Sequence, residues 1–378
     1  MNLNPDELRR YGRHLTLPGF GLDAQERLRA SSVLCIGLGG LGSPATLYLA
    51  AAGIGKLGLV DPDSVDVSNL QREILHGESD LGRLKLDSAR DTLREINPHV
   101  KVVPFAERFQ RSNARAIADG FDLILDGTDN FATRYLSNDL AVLTGKPNVY
   151  GSIFRFEGQV SVFAPHLGGP CYRCLFPQPP APGTVPSCAE GGVLGVLPGI
   201  VGTLQALEAI KLLTGIGKPL VGRLLHFDAL DLRFREIKLR RDPECPLCGQ
   251  SPSISDLIDY DQFCGISASG MQPSAPEISV RDLKPLLDSG NAYLIDVREP
   301  DEHQICRIPG SHLLPLSQLA NRIQEVPRNV PLYVHCRSGI RSAKAVHLLT
   351  KHGIPGAVSV AGGIIAWAKE FDPGMPVV

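Results

Sequence analysis

Three groups of residues in this 378-residue sequence have the types and spacing that chemistry requires. The first is rich in glycine. Gly37, Gly39 and Gly42 of GLGGLG follow a short apolar run and precede a helix-like stretch. Glycine permits the tight turn there and lets backbone N–H groups approach a phosphate at the helix N-terminus. Asp61 ends the next apolar run, where a carboxylate accepts hydrogen bonds from ribose hydroxyls. By this fingerprint alone a nicotinamide-dependent dehydrogenase is the default reading, and glycines that serve only helix–strand packing are the structural alternative.

The residues behind Asp61 point away from hydride transfer. VDPDSVDVSNLQRE brings Asn69, Gln71 and Arg72 close to the ribose position, and Lys85 follows on a helix. Amide and cationic groups beside phosphates suit a site that breaks a phosphoanhydride, because charge accumulates on the departing pyrophosphate. DGTDN then sets Asp126, Asp129 and Asn130 at the end of a later strand. Asp129 there is a candidate Mg²⁺ ligand, since magnesium usually takes one or two carboxylates together with phosphate oxygens. Taken singly, each of these side chains could be a surface ion-pair partner; together they favour ATP.

The second group is cysteine. The chain has nine, an odd number spread over its length, which disfavours a disulfide scaffold and favours metal or thiol chemistry. Cys171 and Cys174 of CYRC, with Cys245 and Cys248 of CPLC, can supply four thiolates to one closed tetrahedral zinc site. A redox C-x-x-C is the alternative. Cys188 sits in FPQPPAPGTVPSCAEGGVLG, a proline-rich run read as a mobile crossover, which is a poor place to bury a thiol.

The third group is the loop Cys336, Arg337, Ser338, Gly339, Ile340 and Arg341, after an apolar run and before a helix-like one. Such a loop curls its backbone N–H groups toward the sulfur. With a nearby guanidinium they stabilise an anionic thiolate or persulfide. Phosphatases with a cysteine nucleophile use a related loop one residue longer, so this length favours sulfur. Asp296 and Arg298 are expected to brace the loop from the neighbouring strand.

The elements that must position these groups form two bodies. Strands SSVLCIG, KLGLVD, DLILDG and NVYGSIF alternate with helical patterns, which predicts a doubly wound α/β domain over residues 1–250. Residues 251–276, rich in Ser, Gly and Pro, read as a linker. Strands AYLIDVRE, VPLYVHC and GAVSVAGG then make a smaller α/β domain over 277–378. The composition is 43% hydrophobic and 21% charged, with net charge −2. It gives no overall pull toward nucleic acid or an anionic membrane. The apolar stretch 191–213 reads as a loop entering a buried or subunit-interface helix, and the N-terminus lacks a signal-peptide core, so a cytoplasmic protein is expected.

RYGRHL, GLGGLGSP, VDPDSVDVSNLQRE, GRLKLDSAR, DGTDN and CAEGGVLG together resemble the ubiquitin-activating-like adenylyltransferases, in particular the bacterial MoeB/ThiF group. That resemblance implies that Gly39, Gly40, Gly42, Asp61, Asn69, Gln71, Arg72, Lys85, Asp129 and Asn130 hold ATP–Mg. It implies zinc on the four paired cysteines, a homodimer in which Arg13 reaches the partner's nucleotide, and a Cys188 able to form a thioester or resolve a disulfide. LIDVREPDEH and YVHCRSGIRSA resemble the rhodanese-like sulfurtransferases, although Cys306 and Arg307 in ICRIPGS depart from that pattern. The expected function is adenylation of the C-terminal glycine of a ubiquitin-like sulfur carrier, followed by sulfur transfer from a Cys336 persulfide. The donor would be a cysteine desulfurase or thiosulfate. A dehydratase-type relative acting on a tRNA-borne carboxylate would need a basic surface. A non-catalytic scaffold would be expected to lose Asp129, Arg72 or Cys336.

Overall fold

The computed structural model describes residues 3–180, 192–265 and 275–377. The chain divides into two compact units, each with its own sheet.

In the first unit, runs dense in Val, Leu and Ile form the central strands, covered on both faces as a parallel sheet requires. β1 (Ser32–Ile36), β2 (Lys56–Val60), β3 (Lys101–Phe105), β4 (Leu123–Asp126) and β5 (Asn148–Phe154) pair in parallel, in the order β3-β2-β1-β4-β5. One face is covered by helices Gly42–Ala52, Lys85–Ile96 and Val196–Thr214, the other by Ala114–Ala118 and Phe131–Thr144. The strand order reverses between β1 and β4, which opens a crevice at their carboxyl ends. Beyond β5 the sheet continues antiparallel through β6 (Glu157–Phe163), β7 (Arg223–Asp228) and β8 (Arg233–Lys238). Short hairpins join β5 to β6 and β7 to β8, while the β6–β7 connection carries helix Val196–Thr214, and the outer strand β8 is exposed along its whole length.

Helix Val196–Thr214 is long and apolar enough to cross a membrane, with mean hydropathy 1.4. It packs instead against Gly42–Ala52 and β5, where Gln205 Nε2 donates to the carbonyls of Asp126 and Val149.

Residues 252–265 do not form the linker expected of them. Leu257, Tyr260 and Cys264 enter the core under helix Phe131–Thr144, and Tyr260 Oη donates to Asp139 Oδ2 at 2.9 Å. Ion pairs Arg115–Asp256 and Arg108–Asp261 hold the segment from outside. Its apolar residues are few but fall at 257, 258, 260, 263 and 264, enough for one stripe against a helix.

The second unit is a five-stranded parallel sheet in the order β11-β10-β12-β13-β9. Its strands are β9 (Glu277–Ile278), β10 (Tyr293–Asp296), β11 (Ser311–Leu313), β12 (Leu332–His335) and β13 (Val358–Val360). Helices Ile340–Lys351 and Gly363–Phe371 both start beside the end of β12.

Candidate functional site

The crevice of the first unit holds a cavity of about 530 Å³. Gly37, Gly39, Gly40, Asp61, Asn69, Arg72, Lys85, Asp129 and Asn130 line it, together with residues the sequence did not single out. Gly42 does not face the cavity. A Cβ there would stand 1.9 Å from the Gly37 carbonyl oxygen, so this glycine lets the turn close on the helix start. Gln71 is not a lining residue either; its backbone and side chain lie against Gly195. Arg13 is exposed on the short helix Gly12–Leu15 and does not line the cavity of its own chain.

Several side chains are committed to building the walls. Asp61 accepts from Leu38 N at 2.7 Å and Asp63 N at 2.9 Å, which fixes the glycine turn against the strand end. Asp126 spends both oxygens on Thr128 and Ser137 and is buried, which leaves exposed Asp129 as the acid of DGTDN that faces the cavity. Asn130 caps helix Phe131–Thr144 by accepting from Thr133 N at 2.9 Å, so the helix N-terminus with its partial positive charge opens onto the site.

The sequence missed the acid among the cations. Lys85 Nζ donates to Glu73 Oε1 at 3.3 Å and stands 3.1 Å from Oε2 and 3.9 Å from Asp63 Oδ2. Burial pushes the carboxyl of Glu73 upward, and the charge of Lys85 only partly offsets that. It missed Arg134 as well, a buried guanidinium that donates to the Thr128 carbonyl and lies over the Tyr150 ring. Arg108 and Phe109 complete one wall. Glu73 was within reach of sequence reasoning, because it directly follows Arg72 in NLQRE. Arg134, inside a helical pattern, gave no signal.

Cys171, Cys174, Cys245 and Cys248 meet with all four sulfurs within 4.8 Å of one another. Sequence spacing separates the two pairs widely, and the fold closes that gap. The knuckle is held to helix Phe131–Thr144 by a fully buried ion pair, Arg173 with Asp139, whose two hydrogen bonds are 2.8 and 2.7 Å. Asp242 N donates to Cys174 Sγ at 3.4 Å, a contact that favours thiolate. Four buried or half-buried thiols with no other donor type fit a single tetrahedral metal ion. Cys188 lies outside the described residues.

In the second unit Cys336 is buried at the end of β12. Gly339 N donates to its sulfur at 3.1 Å, and Ser342 Oγ lies 3.7 Å away. Gly339 has φ of +103°, which turns its amide inward, and helix Ile340–Lys351 starts directly behind. The carbonyls of Cys336 and Arg337 accept from Ile364 N and Ile365 N, so the second helix start fastens the loop from outside. Gly363 makes this approach possible, since a Cβ on it would stand 2.4 Å from the Cys336 carbonyl oxygen.

The two loop arginines differ in their surroundings. Arg341 makes two 2.7 Å hydrogen bonds to the carboxylate of Glu302, while Arg337 remains half-buried. Burial would raise the Glu302 carboxyl, but Arg341 and the amide of Glu299 outweigh it and hold the group below its ordinary range. Asp296, at the end of β10, and Arg298 form a fully buried ion pair. Arg298 also donates to the Cys306 carbonyl at 2.7 Å, which secures the end of helix Pro300–Ile305 that carries Glu302. Cys306 packs its sulfur 3.6 Å from Arg298 and is part of this brace. His335, next to Cys336, is fully buried at 3.6 Å from Asp296 Oδ2, and burial pushes it down to about 4.

The ThiF family pattern matches residues 11–247, and the rhodanese-like domain pattern matches residues 279–370. The chain belongs to the ThiF family. It carries a rhodanese-like domain behind the family's own. It is 50% identical to a probable adenylyltransferase/sulfurtransferase MoeZ of Mycobacterium tuberculosis, over 99% of this chain and 96% of that one. It is 45% identical to adenylyltransferase and sulfurtransferase MOCS3 of Sus scrofa, over 99% and 88%. Among solved structures, E. coli MccB with ATP superposes with a TM-score of 0.53 at 20% identity, covering 66% of this chain and 82% of that one. This last likeness shows the fold alone.

Proposed function

We propose that the chain is an ATP-dependent adenylyltransferase and sulfurtransferase that converts the C-terminal carboxylate of a ubiquitin-like sulfur carrier into a thiocarboxylate. One observation carries the reading: a polyphosphate-sized cavity walled by cations and a buried thiol loop occur on a single chain, in the two domains that its full-length relatives share. The names of those relatives support the same pair of reactions.

In the first step a carrier carboxylate oxygen attacks the α-phosphorus of ATP and pyrophosphate leaves. Arg72 and Lys85 offset the growing charge, joined by Arg13 of a second copy if the protein is a homodimer. Asp129 is the residue to hold Mg²⁺, which supplies further charge neutralisation when bound. The four-cysteine cluster suits zinc in a structural role. Tyr48 and Leu207 lie exposed on the paired helices Gly42–Ala52 and Val196–Thr214, which supports burial of that face between two copies.

In the second step the outer sulfur of a Cys336 persulfide attacks the acyl carbon and AMP leaves, which gives an acyl disulfide. A second thiol, Cys188 or an external one, attacks the inner sulfur, so that the S–S bond breaks and the carrier departs as its thiocarboxylate. A reducing thiol then opens the Cys336 disulfide so formed, and the freed thiolate takes sulfane sulfur from a protein persulfide, releasing its thiol, or from thiosulfate, releasing sulfite. Carrier-dependent exchange of labelled pyrophosphate into ATP tests the first half. It is expected with wild type and lost in Asp129→Ala; exchange that persists in the variant would remove Asp129 from the site.

A further inference from the structure

Glu73 is out of place for a polyphosphate site. Its carboxylate is almost fully buried, it lines the cavity, and a Cβ on the loop glycine Gly39 would lie 3.6 Å from its Oε1. A nucleotide seated on that loop brings several negative charges toward a carboxylate. The acid is tolerated because Lys85 sits on it, within 3.3 Å of Oε1 and 3.1 Å of Oε2, while Oε2 itself receives no hydrogen bond. Arg72 is farther off, at 3.9 Å from Oε1.

Lys85 cannot serve Glu73 and a phosphate equally well. When its ammonium turns to the ligand, Glu73 loses its main counter-charge in a buried place, where an unpaired carboxylate is costly and a neutral carboxyl is not. The other groups facing the pair do not replace the lysine. Asp61 at the end of β2 and Asp63 behind it are acidic, and His76 on the next turn is buried and pushed down to about 4. Arg72 is itself directed to the Ser68 carbonyl. Asp129, Arg108 and Arg134 also line this cavity.

We propose that Glu73 is a positioning residue that holds Lys85 before nucleotide arrives and takes up one proton from solvent when a nucleoside triphosphate draws the lysine away. No bond other than the new carboxyl O–H forms in this exchange. The proposal rests on the reading of the cavity as an ATP site. Its consequence is that nucleotide binding weakens with rising pH once Glu73 is ionised in the free protein, approaching about tenfold per pH unit for one linked proton. A glutamine at this position would bind nucleotide as tightly as the protonated acid does and would lack that slope.

The test is calorimetric titration of the full chain with the magnesium salt of α,β-methylene ATP, which cannot transfer its AMP because the α–β bridge does not break. It is run at about pH 7 and about pH 8.5 in two buffers of different ionisation heat, with Glu73→Gln alongside. Wild type is expected to take up close to one proton more than Glu73→Gln at the higher pH, and the variant to bind about tenfold more tightly there. Equal proton uptake and equal affinity in the two proteins would overturn the proposal while leaving the ATP site intact. If the variant does not fold, the wild-type titration decides alone, since no net uptake between the two buffers contradicts the exchange. Folded wild type that binds no analogue at either pH would remove the ATP reading and the proposal with it.

Discussion

The phosphate cradle and the sulfur loop are both glycine loops between a parallel strand and a helix, yet they are assembled differently. The sulfur loop is local. Residues 336–342 provide the nucleophile, the amide that faces it and the hydroxyl beside it. The cradle's glycines contribute only backbone and room. Its side-chain charges come from residues 61–73, from Lys85, from Arg108, and from the stretch 129–134 beyond β4. What the two share is pre-paired cations: Lys85 rests on Glu73 and Arg341 on Glu302. A small anionic sulfur can be held by backbone dipoles, whereas a polyphosphate needs mobile full charges, and these must be kept in place until the ligand arrives.

The largest expected effect separates the two regions outright. Arg72→Ala should slow carrier adenylation by about 10²–10³-fold. It should leave the loading of Cys336 from thiosulfate unchanged, as followed by the mass of the intact chain. Equal losses in both assays would mean that the regions are not independent chemical sites.

A stability contrast comes next. Buried His335 is neutral in the fold, with its ordinary value of 6.5 lowered to about 4. The unfolded chain therefore takes up a proton first as pH falls. The stability this group contributes is fully present above about pH 6.5 and is lost on the way down to pH 4, on the order of 3 kcal/mol in all. Trp367, the single tryptophan, lies in the second unit, so urea titrations followed by its fluorescence at neutral and acid pH read that unit alone. His335→Gln should flatten the dependence in this range. A dependence that persists unchanged would assign the acid sensitivity elsewhere.

The architecture of both regions was legible because it depends on local pattern: apolar strand runs, glycine at tight starts, and a cysteine set between strand and helix. The antiparallel extension β6–β8 was not, since its outer strand RFREIK carries as many charges as a loop. Residues 252–265 misled for a related reason. Their composition is that of a linker, and only three-dimensional proximity to helix Phe131–Thr144 shows the apolar stripe. In the sites, Arg72, Lys85 and Arg341 were legible, whereas Arg134 and the pairing of Lys85 and Arg341 with their acids were not. Glu302 precedes Arg341 by 39 positions and Glu73 precedes Lys85 by 12, so neither pairing is periodic on any one element. Gln71 and Gly42 stand in the right stretches but face away from the cavity, because a turn presents only part of its length to a ligand.

A smaller effect sharpens the geometry of the sulfur loop. Gly363→Ala places a methyl group against the Cys336 carbonyl and forces an alanine to φ of +55°. It should cost about 1–3 kcal/mol and slow sulfur transfer several-fold without touching pyrophosphate exchange. Unaltered sulfur transfer would show that the second helix start does not set the loop.

The most direct test of the central claim is the intact mass of a Gly-Gly carrier after incubation with the full chain, ATP–Mg and thiosulfate. Replacement of one carrier oxygen by sulfur is expected with wild type, and no replacement with Cys336→Ala, which should still support pyrophosphate exchange. Equal conversion of the carrier by wild type and Cys336→Ala would contradict the account, because sulfur would then reach the adenylate by a route that bypasses the loop.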